Sequence, residues 1–546
     1  MRWRLWLLTT LGLLAFVTLL FWFWRRSPTA ESQRLPPLPQ DPWVRVYMNY
    51  NPAQGADYTD PYRQISRPGD DLEQVIIDAI RRAQTSVDLA VQELRLPGIA
   101  QALVERHQAG VRVRVIIEDT YNQAWGDWTP AQVQQLDERE RSRYDEFFAL
   151  ADRDRDGQLT PEEITAADAL IRLRQAGIPL IDDTADGSQG SGLMHHKFVV
   201  IDGTTVVTGS ANFTLSGTHG DLLAPETRGN ANNLLTITDA ALAALFVEEF
   251  NWMWGDGPGG QPNSRFGLQK PHRPPRTVTV GTTPITVQFS PLSPSEPWLR
   301  STNGTIAQVL ATATRSVDLA LFVFSDQGLA NTLQTRSQAG VSIRALIDRS
   351  FAFRYFSEGL DMLGVALAQD CQFQAENRPW TQPISTVGVA DLPAGDKLHH
   401  KFGLVDGRVT ITGSHNWSAA ANHQNDETLL VIHSPVVTAH FQREFERLYQ
   451  QAALGIPASV QQKIRDQAAQ CPQLTTARSG PSLQPVNLNT ASQADLETLP
   501  GIGPAIAQRI ITARQQQPFT SLADLEQRVS GIGPGVRQGL EGRVNW

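Results

Sequence analysis

Two stretches of this 546-residue chain repeat one arrangement of reactive side chains. The first is HHKFVVIDGTTVVTGSAN, from His195 to Asn212; the second is HHKFGLVDGRVTITGSHN, from His399 to Asn416. Each gives His-x-Lys, four residues, Asp, six residues, then Gly-Ser-x-Asn, with identical spacing. "FVVID" and "FGLVD" are apolar runs of strand length that end in an acid. A His and a Lys two apart at the start of such a strand project from one face. Gly-Ser then opens a turn, where backbone N–H groups and an Asn amide can meet an oxyanion. Two copies facing each other would set two imidazoles, two ammonium groups and two amides around one anionic centre. That donor set suits phosphoryl transfer. One His attacks phosphorus, Lys and Asn neutralise the equatorial oxygens, and the other His protonates the leaving oxygen. The positive charge is built in, so this chemistry requires no catalytic metal.

The paired motifs resemble those of the phospholipase D superfamily, and the resemblance covers about residues 43–455. It implies that His195 is the nucleophile and His399 the acid/base; sequence alone leaves that order open. It also implies that Lys197, Lys401, Asn212 and Asn416 clamp the phosphate, with Ser210 and Ser414 assisting. Asp202 and Asp406 complete the motif, but at strand ends they are expected to buttress the fold. Glu427, in "NDETLLVI", stands where the family often carries a carboxylate that orients a catalytic His. Alignment of "LLVI" with "LLTI" at 234–237 places Asn232 in the equivalent position of the first copy, a departure from the pattern. The neighbouring His196 and His400 are expected to point away from the site, as packing residues.

The elements around the motifs are also duplicated. "SVDLA" occurs at 86–90 and 316–320, and "QAGV" at 108–111 and 338–341, both offset by 230. Strand-like runs alternate with amphipathic stretches, which predicts an α/β sandwich. The HHK offset is only 204, so the first copy holds 26 extra residues. They contain DRDRDGQLTPEE at 152–163. Asp152, Asp154 and Asp156 fill positions 1, 3 and 5 of an EF-hand calcium loop. Gly157 takes the sharp turn, and Gln158, Thr160 and Glu163 fill positions 7, 9 and 12. A structural or regulatory Ca²⁺ is expected there, and a lone loop binds weakly.

The flanks point to a membrane and to nucleic acid. Leu5–Trp24 is twenty residues without a charge, between arginine pairs, enough for one membrane-spanning helix. A signal-anchor over 1–26 is expected, with the body on the extracytoplasmic side. The expected order continues with a linker at 27–42, a first repeat at 43–255 with the EF-hand insertion at about 129–175, and a linker at 256–276. A second repeat at 277–455, a linker at 456–484 and a small all-α domain at 485–546 complete it. That last domain resembles a competence-type tandem helix-hairpin-helix module. Its hairpins, Gly501-Ile502-Gly503 and Gly531-Ile532-Gly533, would offer backbone N–H groups to a DNA phosphate. The chain carries 47 basic and 56 acidic residues, net −9, which excludes gripping nucleic acid by bulk charge. Two cysteines, Cys371 and Cys471, exclude a disulfide framework. They are either free or joined in one long-range bridge. Three readings follow: a nuclease acting on DNA, a phospholipase D acting on lipid head groups, or a non-catalytic DNA tether. Both motifs lie in one chain, so no homodimer is needed for catalysis.

Overall fold

The computed structural model describes residues 35–546 apart from 52, 54–56, 189–191, 375–376, 472–473, 475–485 and scattered positions between 494 and 543. The membrane segment expected at Leu5–Trp24 lies outside these residues. Among the described residues no helix is long and apolar enough to cross a membrane.

Two mixed sheets carry the duplicated body. The first has seven strands in the order Val44–Met48, Asn233–Thr238, Thr205–Gly209, Lys197–Ile201, Ser86–Val91, Arg112–Ile117, Leu180–Asp182. The second has nine, in the order Arg276–Val280, Thr283–Phe289, Thr428–His433, Val409–Gly413, Lys401–Val405, Ser316–Leu321, Ser342–Ile347, Val387–Val389, Ala453–Leu454. The central strands are buried along nearly their whole length because both of their faces are covered. In each half a helix, Pro97–Gln108 or Gln327–Gln338, links the two parallel strands as a βαβ crossover. The "SVDLA" repeat is the first strand of each unit. The motif strand runs antiparallel beside it, with Lys197 opposite Val91 and Lys401 opposite Leu321.

A single apolar core joins the two halves. Phe246, on helix Ala240–Trp254, packs edge-on against Phe198 of the first sheet and Phe289 of the second. Phe441, on helix Pro435–Gln450, packs the same way on Phe402. These rings share a buried cluster with Leu235, Leu430, Met194 and Leu398. Accordingly both halves fall in one compact unit, which runs through Ser293 and continues over Leu299–Gly364 and Pro379–Gly455.

The insertion forms helices Glu138–Ala151, Pro161–Ala167 and Ala169–Gln175. Between the first two, one oxygen from each of Asp152, Asp154 and Asp156 converges within 4.8 Å. Arg155 and Gly157 take positive φ, 61° and 79°, to close the loop. The Glu163 carboxylate accepts from the N–H of Arg153 and of Thr160.

The second compact unit gathers 294–298, 365–378 and 456–546. Helix Ala458–Gln470 opens the stretch 456–484, which reads from sequence as a helical start fading into a linker. Gln467 exchanges two hydrogen bonds with the backbone of Ala368, and a disulfide joins Cys371 to Cys471. Of the two states open for the cysteines, the bridge is the one present. Helices Pro504–Gln516 and Leu522–Arg528 and a short ladder of Val486–Asn487 with Val544–Asn545 enclose a core of Leu488, Leu496, Ile510, Phe519, Leu525 and Leu540. The disulfide closes a separation of 100 residues. Reduction is expected to cost about 2–4 kcal/mol of stability, read as a lower urea midpoint for the full chain. Equal midpoints with and without reductant would show that the bridge contributes nothing.

Candidate active site

Both motif strands begin at the seam between the halves, and main-chain exchange fixes where. The His195 N–H donates to Asp426 O at 3.0 Å, and the Asp426 N–H returns a bond to Leu193 O at 2.9 Å. Across the pseudo-two-fold, the His399 N–H donates to Ala231 O at 3.1 Å, and the Ala231 N–H donates to Lys397 O at 2.8 Å. Each motif histidine is thus stitched to the opposite half, two residues before strand Thr428–His433 or Asn233–Thr238.

The side chains repeat the exchange. His195 Nδ1 meets Glu427 Oε2 at 2.7 Å, and His399 Nδ1 meets Asn232 Oδ1 at 3.0 Å. Both bonds leave Nε2 as the outward atom and fix the ring tautomer. Glu427 sits in the half opposite the histidine it orients. Asn232 does the equivalent work for the other ring with a neutral amide. Ser414 Oγ donates to Glu427 Oε2 at 2.7 Å, and Ser210 Oγ donates to Asn232 Oδ1 at 2.7 Å. The two serines therefore hold the orienting groups. Asn425 Nδ2, which sequence reasoning missed, binds the second oxygen of Glu427 at 3.3 Å.

The lysines mirror one another. Lys197 Nζ donates to His195 O and Lys401 Nζ to His399 O, both at 2.8 Å. All four groups are buried, with the imidazoles 5% and 8% exposed and each lysine 1%. Burial, then the two lysine charges, pushes both imidazoles well below their ordinary range. Burial pushes Lys197 down to about 7 against the pull of Glu427 and Glu93. Burial and then the Lys197 charge push Lys401 down as well. Burial raises the Glu427 carboxyl. Asn212 and Asn416 each leave a buried amide oxygen with no partner, at the same place in both halves. An amide turned over about its last torsion presents NH₂ at that point, where an anionic oxygen would accept.

Asp202 and Asp406 leave the candidate catalytic set. They stand at the far ends of their strands, roughly 15 Å from the lysines at 3.3 Å per residue. Asp202 accepts from the N–H groups of Gln84, Thr85 and Ser86, and Asp406 from those of Thr314, Arg315 and Ser316. Burial alone would raise Asp406, but these donors outweigh it and hold the carboxyl at about 2. His196 and His400 turn the other way, onto Glu249 at 3.0 Å and Glu444 at 3.2 Å.

In the C-terminal module Gly501 and Gly503 lie outside the described residues. Ile502 and Ile532 turn their side chains into the module core, each 4% exposed, so they are not DNA contacts through their side chains. Gly531 is exposed, with φ 105°. The arginines among the described residues of the module are engaged within it. Arg514 donates to Leu488 O and Ala491 O, Arg528 to Ala513 O, Arg509 to Ser530 O, and Arg537 pairs with Glu526.

Comparison with known proteins follows the same division. The family described as "Cardiolipin synthase, PLD-like domain" matches residues 76–254 and 306–449, and a helix-hairpin-helix motif matches 482–545. The mitochondrial cardiolipin hydrolase of Xenopus tropicalis is 32% identical over 146 residues, 26% of this chain and 59% of that protein. That of Xenopus laevis is 30% identical over 195 residues, 34% of this chain and 82% of that protein. The human protein is 30% identical over 148 residues, 27% of this chain and 50% of its own length. The chain thus spans between half and about four-fifths of these relatives. Among solved structures, Nuc of Salmonella typhimurium, a phospholipase D family member, covers 39% of this chain and 95% of its own, at 21% identity and TM-score 0.24. Phosphatidylserine synthase of Haemophilus influenzae covers 81% and 96%, at 13% identity and TM-score 0.46.

Four depressed cationic groups make a site that takes up protons when an anion arrives, because the anion favours their charged forms. Burial lowers Lys197 to about 7, so an anion that restores its charge draws protons to that group. Calorimetric titration of tungstate in buffers of different ionisation enthalpy is expected to show net uptake. Net release, or none, would contradict this electrostatic picture.

Proposed function

The chain belongs to the phospholipase D-like domain family, and from that premise we propose that it is a phosphodiesterase working through a phosphohistidine, with DNA as substrate. The observation that carries this reading is the unequal pairing of the two imidazoles. Nucleophilic attack leaves a positive ring bonded to phosphorus, and the Glu427 carboxylate at 2.7 Å stabilises that charge on His195. A neutral amide on His399 orients the ring without holding its proton, which suits a group that must give a proton and take one back.

The steps follow. His195 Nε2 attacks phosphorus as the bond to the leaving oxygen breaks, and that oxygen takes the Nε2 proton of His399, which the bound phosphate has first brought to its doubly protonated form. Water then loses a proton to His399 and attacks phosphorus, the P–N bond breaks, and His195 returns to its starting state. Lys197, Lys401, Asn212 and Asn416 hold the oxygens throughout.

DNA as substrate is supported by the helix-hairpin-helix match at 482–545, which would hold a strand by backbone N–H groups. Phospholipid is the second reading, favoured by relatives that are named cardiolipin hydrolases. The Cys371–Cys471 bridge and the apolar Leu5–Trp24 segment support an anchored body on the extracytoplasmic side. The insertion supports Ca²⁺ binding: the donors are all hard oxygens, and three carboxylates already converge. That ion would brace the insertion from outside the phosphate site.

On the full-length chain, His195→Ala is expected to abolish cleavage of plasmid and oligonucleotide DNA. Glu427→Gln is expected to slow it by about 10²- to 10⁴-fold, against a smaller loss for Asn232→Ala. Unchanged turnover in His195→Ala, or a phosphohistidine trapped in that variant, would overturn the mechanism. Release of head groups from cardiolipin vesicles without DNA cleavage would favour the second reading. Turnover of neither would leave a tether. Calorimetry with Ca²⁺ is expected to give a Kd of about 10⁻⁴–10⁻³ M, lost in Asp152→Ala. No heat of binding would remove the ion.

A further inference from the structure

The halves differ most beside His399. Phe322 stands there at the position that Gln92 holds in the first half, 230 residues earlier. Its ring lies 4.8 Å from the His399 ring, edge to face, with Lys401 Nζ 5.0 Å from its centroid. Phe351 lies 4.8 Å from Phe322, Phe356 6.5 Å from Phe351, and Tyr355 5.2 Å from Phe356. A continuous line of rings therefore leads from the imidazole outward, through the segment RSFAFRYF at 349–356. Unlike core rings, all four are only half-buried. Arg349 and Arg354 are exposed in the same segment, and Arg354 is steadied by a bond from Nε to Ser350 O.

The first half offers the opposite surface. Gln92 accepts from Lys197 there, and Glu93 follows it. Glu118, the counterpart of Asp348, keeps a buried carboxylate oxygen without a partner, and Asp183 is buried nearby. Glu93 is paired there with Arg95 and Arg143, so what sets the two walls apart is the line of rings on the His399 side and the unpartnered Glu118 oxygen on the other.

Aromatic faces interleaved with arginines fit one kind of ligand, a strand whose bases are free to stack and whose phosphates track the cations. Duplex bases are already stacked on each other and offer no free face to the rings. We propose that Phe322, Phe351, Tyr355 and Phe356, with Arg349 and Arg354, form a stacking platform for single-stranded nucleic acid on the His399 side of the scissile phosphate. In-line displacement puts the leaving oxygen on that side, so the stacked base belongs to the leaving nucleoside. This rests on the nucleic-acid reading above and adds strand selectivity to it.

The test uses the full-length chain and a fluorescent 30-nucleotide DNA, single-stranded or annealed to its complement. The single strand is expected to be cleaved with a kcat/KM about tenfold or more above the duplex. Phe351→Ala and Phe356→Ala, made separately, are each expected to lower the single-strand value by about tenfold, the scale of one lost stack. Phe351→Trp is expected to restore it, and tungstate affinity to stay within twofold of the parent. 2-Aminopurine placed on the leaving side is expected to be quenched by the parent and not by Phe351→Ala. Equal loss on single strand and duplex, no loss on either, or unquenched 2-aminopurine would overturn the platform while leaving the nuclease in place. Absence of cleavage of both DNA forms by the parent, with cardiolipin head groups released, would overturn the nucleic-acid reading and the platform with it.

Discussion

Each motif histidine takes its orientation from the half of the chain to which it does not belong. His195 hangs from Asp426 and Glu427; His399 hangs from Ala231 and Asn232. The rest of the body serves this exchange. The motif strands must reach the seam, so they lie beside the βαβ strands with their lysine ends at that edge. The seam must not slip, so Phe246 bridges the two sheets and one apolar core spans both halves. Displacement at this seam of even an ångström would move both imidazoles off line.

The second constraint is charge. Two lysines and two imidazoles are buried around one carboxylate, and burial disfavours every charged form. Such a cluster is unstable toward itself and complementary to an anion. The phosphate supplies the counter-charge, so its binding and the activation of the site are one event. The same low-dielectric surroundings strengthen each hydrogen bond that the phosphate then accepts.

Much of this was legible in the residues. The twelve motif positions, the duplication and the insertion are local patterns, and the 230-residue offset carries straight into paired strands. What the sequence hid is the crossing. Glu427 is seen from its own half as a neighbour of Ser414, and nothing in its spacing says that it faces His195, 232 residues away. Asn232 reads as a lapse from the pattern until His399 is found against it. Ser210 and Ser414 follow the motif glycines as phosphate donors would, yet their hydroxyls are used by the orienting groups. At Ile502 and Ile532 the hairpin motif speaks for the backbone, and the side chains pack beneath it. The helical start at Ala458–Gln470 is legible, but what holds it, a disulfide to Cys371, is a long-range constraint that the sequence leaves open.

The crossed seam also sets a schedule for synthesis. His195 leaves the ribosome long before Asp426 and Glu427, its main-chain and side-chain partners. A ribosome adding about 5–20 residues per second needs on the order of 10–50 s to cover that interval. Throughout it the first motif has its lysine but no oriented imidazole and no second half. A chain released early, or cut between the copies, carries one complete motif and no paired site. A chain that attacks phosphodiesters is made in a cell full of them, and the wiring of this fold defers competence until the molecule is nearly whole.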